Sequence, residues 1–98
     1  MSIGNIYTAL DLLKTRLNRP VSDTALDDYL LPRLNAADAE LARAGIHLNT
    51  DSADDLIFLV DYAAWQYGNR DKPGGMPDWL RLARRERWLA EHGGGTTT

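Results

Sequence analysis

Hydrophobic residues along the chain fall into four blocks, and each block has the spacing of a helix rather than of a strand. In the first, Ile6, Ala9, Leu10, Leu13 and Leu17 recur at helical intervals, with Asp11, Thr15 and Asn18 elsewhere. Asn5 or Ser2 offers a cap at its start. Arg19-Pro20 should end it, because the residue before a proline avoids the α region. In the second block Leu26, Leu30, Leu34, Ala37, Leu41 and Ala44 share one face. Ser22, Asp23 and Thr24 offer an N-cap, and Thr24 with Asp27 matches a capping box. Pro32 lies inside this block, where it removes a backbone donor and crowds the preceding turn. The apolar stripe keeps its phase across Pro32, which predicts one kinked helix rather than two. Gly45 followed by Ile46 predicts a Schellman ending.

The third block has a different character. From Leu56 to Tyr67 only Asp61 and Gln66 are polar. A surface helix shows one apolar stripe, whereas a helix apolar nearly all round is buried on most sides. The pattern therefore predicts a central helix over about 54–69, with Leu56, Leu59, Val60, Ala63 and Tyr67 facing the core. Ser52 with Asp55 matches a second capping box, and Asp51, Asp54 and Asp55 suit the positive end of the helix. Asp61 is the anomaly, because an unpaired buried carboxylate is costly. Two readings stand: it faces a gap open to water, or it pairs with an arginine or accepts from a tryptophan N–H. Tyr62, Trp65 and Tyr67 read as packing residues. Arg70 complements the helix dipole at the C-terminal end. Asp71-Lys72-Pro73-Gly74-Gly75 is a break.

Pro77 suits the first turn of a fourth helix, from Asp78 to about Glu91. Trp79, Leu82, Ala83, Leu89 and Ala90 make a broad apolar side. Arg81, Arg84, Arg85 and Trp88, at i, i+3, i+4 and i+7, share the other side. Arg87 and Glu91 are placed to pair at i,i+4. The Gly/Thr tail, residues 93–98, has nothing to bury and should be disordered. The expected fold is all-α: a small bundle of about four helices around the buried central helix, one domain over residues 1–92 with a flexible tail.

Composition narrows the function classes. At 98 residues the chain is one domain by length, and such a chain buries roughly 60–70% of its unfolded surface. Eleven basic against fourteen acidic residues give a net charge of -3, unlike the net basic surface usual in nucleic-acid binders. With no cysteine there is neither a disulfide framework nor a thiolate metal site. No apolar run is long enough to span a bilayer, and MSIGNIYTALD lacks the basic start and apolar core of a signal peptide. A soluble protein, cytoplasmic where it is made, is expected. His47 and His92 stand in no recognised metal spacing, and the acidic run at Asp51, Asp54 and Asp55 lacks the alternating ligands of a calcium loop. No phosphate-binding, nucleophile-elbow or zinc-protease motif is present. An enzyme is not expected, nor a cofactor.

The Arg81/Arg84/Arg85/Trp88 side is the most informative surface. Tryptophan and arginine are the residues most enriched in interface hot spots, so a partner-binding face is expected there, with Trp79 and Arg87 beside it.

The order of these features resembles a known family. A helix ends before a proline. A long helix follows, with the alanine-rich half Leu34-Asn35-Ala36-Ala37-Asp38-Ala39-Glu40, then the acidic cap Asp54-Asp55. The hub helix closes on Tyr67-Gly68-Asn69-Arg70, and Met76-Pro77-Asp78-Trp79-Leu80 opens an arginine-rich last helix. From about Asp23 to Leu89 this is similar to the phage head–tail connector family, the small adaptor or head-completion proteins beneath the portal. Pro32 and the Gly/Thr tail depart from it. The resemblance implies a structural adaptor of the virion, made in the host cytoplasm. Such a protein forms a ring, usually of twelve copies, under the portal protein. The ring extends the DNA channel without binding DNA specifically and docks the next stopper or tail connector protein. The last helix would engage the portal, here through Trp79, Arg81, Arg84, Arg85, Arg87 and Trp88. Two other classes fit the residues: a small helical DNA-binding regulator using the last helix, and a generic helical protein-binding module.

Overall fold

A computed structural model describes residues 6–49, 51–69 and 75–92. Within them the chain forms α1 (Ile6–Arg16), α2 (Asp27–Arg43), α3 (Ala53–Gly68) and α4 (Asp78–His92), with no strand among the described residues. The expected all-α bundle of four helices is what forms. The Ser2 and Asn5 caps, Arg70, most of the break after it and the Gly/Thr tail lie outside the described residues.

The first helix stops earlier than its proline requires. Asn18 takes a left-handed backbone, φ 62°, a conformation that asparagine tolerates better than most residues. Arg19 N then donates to Lys14 O at 2.7 Å and Asn18 N to Thr15 O at 3.0 Å. These are the paired bonds of a Schellman ending. Lys14 itself is buried, its side chain only 3% exposed, with Nζ 2.6 Å from Asp27 Oδ1 and donating to Val21 O at 3.2 Å. The approach to Asp27 is an ion contact rather than an aligned hydrogen bond, since that oxygen accepts none.

This pair corrects the start of α2. Asp27 faces Lys14, the Thr24–Asp27 capping box does not form, and the N-cap is Leu26 without a side-chain bond. Asp23 instead accepts from Ala25 N at 3.0 Å, tightening the turn before the helix. α2 runs through Pro32 as one element. Pro32 is its sixth residue, so the donor it lacks would have served the carbonyl of Asp28, an exposed residue of the first turn that water can satisfy. The far end is the predicted one. Gly45 has φ 93°, Ile46 N donates to Leu41 O at 2.8 Å and Gly45 N to Ala42 O at 3.0 Å. Ile46 and Leu41 are both buried, as the apolar contact of a Schellman motif requires.

α3 is the hub. It packs on all three other helices, and among the helices α4 touches α3 alone. Leu56, Leu59, Val60 and Ala63 are buried as expected, and so are Phe58, Tyr62 and Ala64 on the remaining sides. They meet Ala9, Leu10 and Leu13 of α1 and Leu30, Leu34, Ala37 and Leu41 of α2. Burying one such leucine stabilises the fold by about 1.5–3 kcal/mol before entropy is counted. Tyr67 is half-buried and packs edge-on against Tyr29 at 5.9 Å, so the end of α3 meets the start of α2. Asp61 is not in the core. It sits at the α1 edge with Arg16 Nε 3.3 Å away, which joins both readings: an arginine pair, open to water.

The second capping box also gives way to a distant partner. Ser52 is the N-cap but makes no side-chain bond. Asp55 Oδ2 accepts from Asn49 N at 2.8 Å, and its Oδ1 lies 3.3 Å from Arg87 Nε of α4.

Candidate interaction face on the last helix

The rotation of α4 about its axis decides which side chains it offers. Leu80 is its one buried residue, with Met76 and Ala83 packed against the core. Leu80, Ala83, Arg84 and Arg87 follow the i, i+3, i+4, i+7 spacing of a single face. That face turns inward, carrying two arginines with it. Pro77 stands just before the helix, its carbonyl accepting from Leu80 N at 3.1 Å and Arg81 N at 2.9 Å.

The inward arginines are engaged. Arg87 Nη2 donates to Asp54 O at 3.0 Å, and its guanidinium lies 4.4 Å from the centre of the Phe58 ring, a cation–π contact. With Asp55 3.3 Å from Nε, Arg87 clamps α4 onto the first turn of α3. It does not pair with Glu91. Arg84 lies near enough to the Tyr62 hydroxyl to influence its charge, that hydroxyl donating to Glu40 Oε2 at 3.0 Å, while Arg84 Nε is buried with no hydrogen-bond partner among the described residues. Gln66 Nε2 donates to the other Glu40 oxygen at 2.8 Å. Burial, then the bond to Glu40, raise the Tyr62 pKa, and Arg84 acts in the opposite direction. Arg84 and Arg87 therefore leave the expected binding face, Arg87 for structural work.

The C-terminal turn of α4 is tied to the Schellman turn of α2. Glu91 Oε1 accepts from His47 N, and His47 Nδ1 lies 2.9 Å from Glu91 Oε2. These bonds hold the Glu91 carboxyl below its ordinary pKa. His92 Nε2 reaches Gly45 O at 2.6 Å, and its ring packs on Trp88 at 4.6 Å. Both histidines thus dock the helix. Among the described residues no group of three His, Cys, Asp or Glu side chains could hold a metal ion.

What remains outward is a mixed surface. Arg81 and Arg85 are exposed, and Arg81 pairs with Asp78 of its own helix at 2.5 Å. Trp88 is 40% exposed beside them. On the other flank Trp79, Leu82 and Leu89 of the broad apolar side are 51%, 55% and 41% exposed, so most of that side faces outward while Ala83 packs on the core. Sequence reasoning had no signal for this, since the true inward face holds fewer apolar residues than the outward one. It also missed a groove of about 190 Å³ between α1 and α3, lined by Leu12, Thr15, Arg16, Ile57, Val60 and Asp61.

No protein-family model matches the chain, and neither the curated proteins nor the solved structures give a match to it.

Proposed function

We propose that the chain is a structural adaptor of a phage head–tail connector, ring-forming beneath a portal protein and working by protein–protein contact. What supports this reading is the motif order from Asp23 to Leu89, together with one observation. The last helix is tied to the hub through Arg87 and to the Gly45 turn through His92, yet offers Arg81, Arg85 and Trp88 to solvent. A helix already formed and tied down has little backbone freedom left to lose on docking. On this reading the portal contact uses Arg81, Arg85 and Trp88, while Arg87 holds the helix in place. The same observation disfavours a DNA-binding regulator, because only two of the last helix's arginines stay outward in a chain of net charge -3.

The test is co-sedimentation with portal rings from the element that encodes the chain. Wild type should travel with the rings, and the R81A/R85A/W88A variant should not while keeping its helical circular dichroism. Equal sedimentation of variant and wild type would refute the assignment. A gel shift that weakens steeply with salt would favour the DNA reading instead.

A further inference from the structure

Among the described residues an apolar groove and an apolar helix flank stand open, one concave and one convex. The concave one is the α1/α3 groove, walled by Leu12 and Ile57 and floored by Val60, with Ile57 51% exposed. The convex one is the flank of α4 made by Trp79, Leu82, Glu86 and Leu89 at i, i+3, i+7 and i+10, all four exposed. Surface this apolar on a small domain marks an interaction site.

We propose that the groove accepts the Leu82 flank of α4 from a second copy of this chain, in a head-to-tail contact. The charges argue for this occupant. Arg16 stands four residues after Leu12 on one wall, and Asp61 four residues after Ile57 on the other. On the flank, Glu86 stands four residues after Leu82. With Leu82 seated between Leu12 and Ile57, and the docked helix running parallel to α1, Glu86 arrives one turn on, beside Arg16. Among the described residues Asp61 takes only Nε of Arg16, at 3.3 Å. The guanidinium's other nitrogens are left to meet a second carboxylate in fork geometry. The one polar residue of the flank thus meets the one cation of the groove. Because groove and flank are different surfaces, each copy still has one of each to offer, and the contact repeats into a ring or a filament. The number of copies rests on the adaptor reading above; the contact itself does not, and it leaves the Arg81/Trp88 side free for the portal.

The test uses the full chain alone, without portal, so a failure of portal docking is read separately. Sedimentation velocity across a concentration series follows wild type, I57D (groove disabled) and L82D (flank disabled), with I57S and L82S as milder counterparts. Both positions are exposed, and circular dichroism checks that the helices persist. Wild type should self-associate, and each variant alone should do so at least about tenfold more weakly. An equimolar mixture of I57D and L82D should give a dimer and nothing larger, since one intact groove meets one intact flank. Three results overturn the proposal: a wild type monomeric at every concentration, a variant that associates like wild type, or a mixture that stays monomeric. Association lost in L82D but kept in I57D would assign the flank to a symmetric α4–α4 contact instead.

Discussion

Replacing Gly45 with alanine probes the joint on which the placement of α4 depends. Gly45 has φ 93°, and a Cβ there would stand 2.9 Å from His92 Nε2 and 3.1 Å from Trp88 Nε1. The cost has two parts. Holding a non-glycine residue in a left-handed conformation costs about 1–2 kcal/mol. Displacing the His92 ring breaks its bond to Gly45 O, a net loss of about 0.5–1.5 kcal/mol. The sum, about 1.5–3.5 kcal/mol, is a large share of the stability of a domain this size and should lower Tm by roughly 6–28 °C. Urea denaturation followed by circular dichroism gives the free energy, and amide exchange over residues 85–92 locates the loosening. The two parts separate in a double-mutant cycle. His92→Ala should cost less in the G45A background than in wild type, because the displaced ring is then already unbonded. A loss below about 0.5 kcal/mol for G45A would refute the reasoning, as would an unchanged exchange profile at the end of α4.

Substitutions at two further positions test the polar interior. Lys14→Ala should destabilise by about 2–3 kcal/mol in urea, below the range for a fully buried pair because Asp27 can rehydrate, and Lys14→Met should recover part of that by keeping the buried stem. Asp38 is buried in α2, and burial raises its carboxyl above the ordinary 3.8. The folded state then holds that proton more tightly than the unfolded one, so ionising Asp38 costs stability at neutral pH and the cost fades as pH falls through the raised value toward 3.8. Asp38→Asn should therefore be more stable than wild type at pH 7 and lose that advantage near pH 4, measured by thermal denaturation at both.

How legible the fold was in the sequence depended on the range of the interactions involved. The hub was visible because Leu56 to Tyr67 is apolar almost all round, a pattern that only burial on several sides explains. The Gly45-Ile46 ending was visible because left-handed geometry selects glycine locally. Both capping boxes were misread for one reason: Asp27 and Asp55 have partners, Lys14 and Arg87, on other helices. Local spacing cannot report a competitor thirteen or thirty-two residues away. The Arg84 side of α4 was misread because Arg84 and Arg87 are half-buried on the inward face, where Arg87 meets Asp54, Asp55 and the Phe58 ring. The broad apolar side read from the sequence, with Trp79, Leu82 and Leu89, is the outer one. Of the six residues expected at the partner face, the fold keeps Trp79, Arg81, Arg85 and Trp88 outward and withdraws the other two.

The central claim is that this helical domain adds itself in a fixed number to a portal ring through the outward side of α4. Native mass spectrometry of portal rings saturated with the chain reads this directly. The account predicts a mass increase of one copy of the 10.9 kDa chain per portal subunit, lost in the R81A/R85A/W88A variant. Rings that gain no mass, or gain a variable number of copies unaffected by that substitution, would contradict it.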